Sequence, residues 1–473
     1  MGKNTFPAHF NEVIFINEKI EKYKQSLKGK NVSVCGIGIS NIPLIDFLLD
    51  SGANVTARDM REIEKLGDIA KELEAKNVKL ICGENYLENI EEKIIFRSPG
   101  LRPDKPGLIE AIQNGAYLTS EMQVFFELCP CKKIAVTGSD GKTTTTTLIS
   151  EILKAAGKKV WLGGNIGKPL LPDVKKMKEE DYAVIELSSF QLMTMKSSPE
   201  TCVITNISPN HLDWHKNFDE YVNSKKNIYL NRKDCLLITN SENEFTLGMA
   251  KEQNGKQMMF SSKGKADIYE ENGFIICNGE KIVKTDDILL PGRHNVENYM
   301  AAIGATYGIA DKIHVEKVAK TFKGVEHRLE FVRELNGVKF YNGSIDSTPT
   351  RTMAAIGAFT SRNLVLICGG YDKKLDYSPL AKVIGSKAKA VVLTGGCAEK
   401  IKNAFLSEEA FTSSGTKLLE ESDFEKAVKL AAYTAQKGDI VLLSPAAASF
   451  DRFKNFEERG KKFKEIINNY PEF

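Results

Sequence analysis

Short β-branched, apolar runs alternate with stretches of helical spacing along most of this chain, which confines the fold to parallel sheets covered by helices. The runs fall into three series. The first holds Asn31–Gly36, Asn54–Ala57, Lys79–Cys82 and Lys93–Arg97, with the helical stretch Pro43–Leu49 after its first strand. The second begins at Lys133–Thr137 and continues through Tyr182–Leu187 and Thr201–Asn206. The third begins after Lys323, with Leu364–Cys368, Ala390–Thr394 and Asp439–Leu443. Three α/β domains are expected, over residues 1–119, 120–324 and 325–473, a division that suits 473 residues at about 150 per domain. Gly255–Lys281 is polar and alternating and reads as a small antiparallel excursion at the edge of the second domain.

Composition narrows the class. With 42% hydrophobic and 27% charged residues the chain can build real cores, so it is neither disordered nor repeat-dominated. Its 65 Lys plus Arg against 62 Asp plus Glu leave a net charge of +3, without the basic stripe of a nucleic-acid binder. No run of about 18 apolar residues would span a membrane. The start, Met1–Phe10, lacks the apolar core of a signal peptide. The nine cysteines are odd in number and scattered, and Cys129 and Cys131 are too close and isolated for a zinc knuckle. Reduced thiols in a cytoplasm are expected.

The strongest chemical signal is Val136–Thr144, which follows an apolar strand and opens a helix expected over Thr145–Ala156. Gly138 and Gly141 let backbone N–H groups turn toward phosphate oxygens, and the helix start adds positive potential. Lys142 would sit on the outer phosphates and the Thr143 hydroxyl on Mg²⁺. Two residues separate these glycines, where the general pattern has four. Glu186, at a strand's carboxyl end, points where such phosphates lie. Beyond the next strand, His211, Asp213 and His215 crowd into five residues, and by ligand chemistry alone would suit Zn²⁺ as readily as Mg²⁺.

At the amino end Gly36, Gly38 and Asn41 follow a strand, and Asp59 closes the next strand run. This is most of a dinucleotide fingerprint without its third glycine, compatible with a nucleotide diphosphate on the helix start. Arg97–Gly100 is a second turn that would line the same crevice. Gly369–Lys373 and Leu443–Asp451 are candidate pockets at strand ends in the third series.

In order along the chain, TGSDGKTT, GGNIG, ELSSFQL, NISPNHLD, GRHNVEN, VEHRLE, GGYDK and SPAAASFDRFKNFEERG resemble the Mur ligase family, ATP-dependent amide-bond synthetases of bacterial cell-wall synthesis. ELSSFQL and the last stretch are most specific to the D-glutamate-adding member, and the DNPR pocket motif of the diaminopimelate- or lysine-adding member is absent. The resemblance implies a Rossmann-like UDP-binding domain, a central P-loop ATPase-type domain with a parallel sheet, and a C-terminal Rossmann-like domain. It implies ATP and Mg²⁺ as cofactors, and UDP-N-acetylmuramoyl-L-alanine and D-glutamate as the partners of a cytoplasmic monomer. No nucleic acid or membrane partner is expected.

The implied roles are residue-specific. Gly38, Ile39, Ser40, Asp59, Ser98 and Gly100 would hold the UDP end of the substrate, and Asn165 and Ser188 its muramoyl end. Gly138, Ser139, Asp140, Gly141, Lys142, Thr143 and Thr144 would cradle ATP, with Asn295 and Asn298 on adenine and His327 and Arg328 near the nucleotide. Thr143, Glu186, His211 and Lys225, the last as a carbamate, would hold metal, while Lys142, His211, Lys225 and Arg328 serve catalysis. Lys226 beside Lys225 leaves the choice of lysine open from sequence. Ser347, Lys373, Ser449 and Phe456 would surround D-glutamate.

One departure stands out. Gly343 occupies a place where the family carries an aspartate near the ATP ribose, and Asp346 or an ordered water is expected to take over part of its role. A folylpolyglutamate synthase is disfavoured by the separate first domain. A plain P-loop phosphotransferase would differ in needing no amino acid for phosphate release, and a non-catalytic nucleotide-binding relative finds support only in Gly343.

Overall fold

The computed structural model describes residues 8–471. Met1–Pro7, most of the stretch read for a targeting core, lies outside the described residues, as do Glu472 and Phe473. Three sheets organise the chain. The first contains β1 (Asn31–Cys35), β2 (Asn54–Asp59), β3 (Lys79–Cys82), β4 (Ile94–Arg97) and β5 (Tyr117–Thr119) in the order β3-β2-β1-β4-β5. All its pairings are parallel. Val32, Val34 and Cys35 are buried because helices cover both faces of such a sheet, which is why β1 reads as a near-continuous apolar run. Chain order reverses between β1 and β4, so the crevice at their carboxyl ends lies between the turns after Cys35 and Arg97.

The second sheet comprises β6 (Lys132–Thr137), β7 (Val160–Gly164), β8 (Tyr182–Glu186), β9 (Thr201–Ile204), β10 (Leu236–Asn240), β11 (Lys256–Ser261), β12 (Ile268–Glu271), β13 (Phe274–Cys277) and β14 (Glu280–Lys284). Their order is β14-β13-β12-β11-β10-β9-β6-β8-β7. β6 lies between β8 and β9, with Val136 opposite Glu186 on one side and Thr137 opposite Ile204 on the other. That register delivers the turn after β6, the acid ending β8 and the loop after β9 to the same carboxyl end of the sheet. The antiparallel excursion expected over Gly255–Lys281 is narrower than that. β11 pairs in parallel with β10, and β12 in parallel with β11. Only afterwards do Asn272-Gly273 and Asn278-Gly279, all at positive φ, make the tight turns that reverse a strand.

The third sheet comprises β15 (Glu330–Leu335), β16 (Val338–Asn342), β17 (Leu364–Gly369), β18 (Ala388–Thr394), β19 (Lys417–Glu420) and β20 (Ile440–Leu443), ordered β15-β16-β20-β17-β18-β19. β15 and β16 form an antiparallel hairpin, and the remaining pairings are parallel.

The chain packs into two compact units. One takes the chain up to Glu271 with residues 275–281 and 298–315; the other takes 272–274, 282–297 and 316 onward. Within the first unit a single apolar cluster runs from Val32 and Leu44 through Phe125 to Ala135 and Leu187. Phe125 lies in the helix Glu121–Leu128, whose start is capped by Ser120 accepting from the Gln123 N–H. Truncating this fully buried ring to alanine would cost about 3–5 kcal/mol. Among the described residues no helix is long and apolar enough to cross a membrane.

Candidate active site

The phosphate-type turn is built as the sequence implies, although its helix starts earlier, at Lys142, and runs to Ala155. Gly138 has φ 147° and Gly141 φ 77°, conformations that exclude most side chains. A Cβ on Gly138 would meet Thr205 Oγ1 at 1.9 Å, and one on Gly141 would meet Asn298 Oδ1 at 2.4 Å. Lys142 Nζ donates to the Gly138 and Ser139 carbonyls at 3.0 and 2.9 Å, which holds the ammonium against the turn.

Ser139 is spent on architecture. Its hydroxyl is 2.7 Å from Tyr221 OH and donates to Ser208 O, while its N–H donates to Asn206 O. The Asp140 N–H donates to Asn206 Oδ1, and Thr205 Oγ1 donates to Asp140 O at 2.6 Å. Thr205 and Asn206 thus tie the turn to the end of β9. Sequence reasoning gave neither a role in the turn; the NIS stretch that contains Asn206 was the available signal. Thr143 and Thr144 lie half-buried in the first helical turn.

Glu186 is buried at the end of β8. Its Oε1 accepts from Asn165 Nδ2 at 2.7 Å, whereas Oε2 is buried without a hydrogen-bond partner. A carboxylate oxygen left dry and unpaired costs about 1–3 kcal/mol or more unless a cation or donor meets it. Lys225 supplies the second anomaly. It is buried in the helix Phe218–Leu230, its Nζ donating to Gly138 O at 2.8 Å and Thr137 Oγ1 at 3.2 Å and lying 4.8 Å from the Tyr221 ring centre. Burial first, then the Lys142 charge, drive its pKa well below that of an ordinary lysine, against the pull of Glu186 and Asp140. Lys226 instead reaches outward to Glu252 at 2.6 Å. The neighbouring lysines therefore occupy opposite environments.

The trio His211, Asp213 and His215 does not converge. His215 is buried, with Nε2 2.9 Å from Ser189 Oγ and Nδ1 3.4 Å from Glu220 Oε2, while Asp213 is exposed. That removes the two-imidazole arrangement zinc would favour. His211 is exposed at φ 54°, yet partial desolvation, then the Lys142 charge and, more weakly, that of Lys225, lower its pKa and favour the neutral ring. Among the described residues no three His, Cys, Asp or Glu side chains form a metal-binding group. Oxygens outside those four residue types, such as the Thr143 hydroxyl, would have to complete a cation's shell beside Glu186. The orphan oxygen of Glu186 and the hard-oxygen character of this set fit Mg²⁺.

In the first sheet the two turns meet at the reversal point, where a Cβ on Gly36 would touch Ser98 Oγ at 2.4 Å. Asp59 accepts from the Ile37 N–H at 2.7 Å and from Arg61, whose Nε lies 2.8 Å from Oδ1. Although burial opposes it, Arg61 and these backbone bonds hold the carboxyl below its usual pKa. Asp59 is therefore engaged inside the turn, and Arg61, two residues on, is a partner that spacing alone did not reveal. Asn41 Nδ2 donates to Gly36 O, taking the third glycine's place by bracing the turn. Ile39 is 85% exposed, and Gly38 has open space where a Cβ would stand. Ser40 precedes the helix Asn41–Asp50 without a side-chain cap bond. Ser188 caps the short helix Ser189–Leu192 in a reciprocal pair with Gln191. Gly100 O accepts from Trp214 Nε1 at 2.9 Å.

Asn298, in the helix Arg293–Thr306, lies with Oδ1 3.2 Å from Thr145 Oγ1 and so belongs to the turn in the first unit. In the second unit Asn295 Nδ2 donates to Pro291 O at 2.7 Å. There His327 is buried at φ 65°, with Nδ1 3.0 Å from Asn342 Nδ2 and its ring edge-on to Phe456 at 5.9 Å. Arg328 is exposed, and Ser347 is half-buried just after Asp346. Ser449 is buried, and Lys373 Nζ lies 5.9 Å from the Phe450 ring centre. Arg459, missed in the sequence reading, is a buried guanidinium that donates to Ser344 O, Ala447 O and Ala448 O at 2.9–3.1 Å. It binds the loops after β16 and β20 together. The ERG stretch at Glu458–Gly460 was the signal that could have found it.

Three family descriptions match the chain: the Mur ligase MurD-like N-terminal domain over residues 30–120, the Mur ligase middle domain over 136–306, and the Mur ligase glutamate ligase domain over 327–447. A UDP-N-acetylmuramoylalanine–D-glutamate ligase of Clostridium perfringens is 48% identical over 452 residues, covering 95% of this chain and 98% of that protein. One from Clostridium novyi is 48% identical over 460 residues, covering 96% and 100%. Among solved structures, UDP-N-acetylmuramate-alanine ligase MurC from Thermotoga maritima aligns with a TM-score of 0.56 at 19% identity, covering 93% of this chain and 100% of that one. A pseudomurein peptide ligase type C from Methanothermus fervidus aligns at 0.53 and 20%, covering 94% and 100%, a likeness of fold.

Proposed function

The chain belongs to the Mur ligase family, and from that premise we propose that it joins D-glutamate to UDP-N-acetylmuramoyl-L-alanine, with ATP converted to ADP and phosphate, in peptidoglycan precursor synthesis. The observation that carries the reading is the near-complete overlap with D-glutamate ligases of Clostridium. The buried Glu186 and Lys225 beside a phosphate-type turn support its chemistry. In this reading the domains span residues 1–119, 120–324 and 325–473. The enzyme is a cytoplasmic monomer that acts on small molecules.

A carboxylate is a poor electrophile, so amide formation requires its prior activation as an acyl phosphate. The turn Gly138–Thr144 seats ATP, with Lys142 and Arg328 neutralising phosphate charge and Asn295 and Asn298 reading the adenine. Thr143, Glu186, His211 and the Lys225 carbamate would hold Mg²⁺, which supplies charge neutralisation at the transferring phosphoryl group when bound. Lys225 is prepared for its modification: a neutral amine attacks CO₂, forms an N–C bond, loses a proton and ends as an anionic oxygen donor.

Gly38, Ile39, Ser40, Asp59, Ser98 and Gly100 hold the UDP end, and Asn165 and Ser188 position the muramoyl end. Ser347, Lys373, Ser449 and Phe456 hold D-glutamate so that its amine meets the acyl phosphate carbon and phosphate leaves. Mass spectrometry of the product from ATP, Mg²⁺, UDP-N-acetylmuramoyl-L-alanine and an amino acid tests the assignment. The condensation product is expected with D-glutamate and not with L-glutamate, L-lysine or diaminopimelate. A product formed with one of those three instead overturns the assigned specificity.

A further inference from the structure

Trp214 lies between two parts of the first unit that the proposed reaction must keep at a fixed separation. Its indole Nε1 donates to Gly100 O at 2.9 Å, in the turn that follows β4. Its backbone N–H donates to His211 O at 3.1 Å and so closes the turn that carries His211. The indole is wedged in place. Phe190 packs against it at 4.4 Å between ring centres, His215 meets it edge-on at 4.8 Å, and the Arg102 guanidinium lies 4.9 Å over its face.

The neighbours reinforce the same bridge. Arg102 is held by Asp104 at 2.8 Å and by Glu220 at 3.0 Å, and also donates to Trp214 O. Phe190 packs on the His211 ring at 4.9 Å and offers its carbonyl to Arg97 at 2.8 Å. Arg97 is buried; its Nη1 reaches the Ser98, Pro99 and Leu101 carbonyls of the first-sheet turn, and Nη2 also donates to Thr194 Oγ1 at 3.0 Å. The contacts of Trp214 and Phe190 thus join the 97–102 turn to the 211–220 segment. His211 itself has φ 54°, a left-handed backbone that a residue with a side chain keeps where its surroundings enforce it.

We propose that Trp214 is a positioning residue that couples the Ser98–Leu101 turn to His211, so that a UDP group seated on that turn fixes the imidazole for phosphoryl transfer. This rests on the reading of that turn as the UDP site. A displacement of Gly100 O must either carry the indole with it or break its hydrogen bond. The wedge of rings then passes the movement to the His211 turn.

The chain has two tryptophans, and Trp161 bonds Asp181 Oδ2 at 2.7 Å through its own Nε1. Trp161→Phe therefore leaves Trp214 as the sole indole reporter. Adding UDP alone to this variant is expected to shift the Trp214 emission, and adding ATP alone is not. Trp214→Phe keeps an aromatic ring and removes the donor. It is expected to raise KM for UDP-N-acetylmuramoyl-L-alanine about fivefold to tenfold while leaving KM for ATP within about twofold. UDP bound to Trp161→Phe by calorimetry without any change in Trp214 emission overturns the proposal alone. Equal rises of both KM values in Trp214→Phe do the same. Failure of UDP to bind the unaltered protein overturns the site reading, and the proposal with it.

Discussion

Lys225 Nζ donates to Gly138 O at 2.8 Å, so the helix Phe218–Leu230 places a buried lysine inside the turn that its neighbour Lys142 also grips. Neutral dipoles and the Tyr221 ring, in place of a carboxylate, surround that amine. An ammonium held this way destabilises the fold, and its neutral form is the one that reacts with CO₂. The carbamate proposed for this residue would replace that amine with an anionic oxygen donor.

Lys225→Met is therefore expected to lose activity by at least about 100-fold while raising the melting temperature by about 2–4 °C in CO₂-free buffer at pH 7. The sign follows from the lowered folded-state pKa. Between that value and the unfolded lysine's ~10.4 the unfolded chain binds more protons, so wild-type stability climbs as pH rises. The variant's advantage should shrink toward pH 10 and vanish above it. Calorimetric melts from pH 7 to pH 10.5 check this, and an advantage that grows with pH would contradict it.

Glu186 presents one bonded and one dry oxygen. Glu186→Gln keeps an acceptor for Asn165 and replaces the orphan oxygen with an uncharged group. Turnover is expected to fall about 100-fold or more with a higher Mg²⁺ requirement, while the melting temperature without metal stays level or rises. A magnesium titration of activity beside a thermal melt separates these effects. Full activity at the wild-type Mg²⁺ level would remove Glu186 from the metal site.

Gly343 and Asp346 constrain each other. A Cβ at 343 would stand 2.6 Å from Asp346 Oδ2 and 2.8 Å from Leu443 O. Asp346 is buried and accepts from Ser444 Oγ at 2.8 Å, and burial pushes its carboxyl up to about 7. Gly343→Ala should cost about 2 kcal/mol, and the double variant with Asp346→Ala about 1 kcal/mol less than the sum. Denaturant titrations measure both. Because the folded carboxyl keeps its proton more tightly, its cost to stability builds as pH rises from about 3.9 and levels off above about 7. Asp346→Asn should therefore gain more stability at pH 8 than at pH 5. Asp346→Ala should raise KM for ATP about fivefold, and an unchanged KM would end its assignment as a replacement for the missing aspartate at 343.

Much of this was legible in the chain itself. Period and β-branched content located the parallel strands because those strands are buried on both faces, as with Val32 and Val34 of β1. Motifs located the Gly138–Thr144 turn and Glu186 because both follow directly from strand ends. What escaped depends on register between distant segments. Asn206 bonds Asp140 across two neighbouring strands, and Trp214 reaches Gly100 across more than a hundred residues. Nor could spacing separate His211 from His215, since only folding buries the second ring against Ser189. The parallel pairing of β11 and β12 was likewise hidden by their polar, alternating composition.

The central claim is that phosphate transfer here serves amide formation with D-glutamate. Phosphate release by the purified protein with ATP, Mg²⁺ and UDP-N-acetylmuramoyl-L-alanine tests it most directly, read with and without D-glutamate. The account predicts steady release that requires D-glutamate and is not supported by L-glutamate, L-lysine or diaminopimelate. Release at the same rate without any amino acid, or none with D-glutamate present, would contradict it.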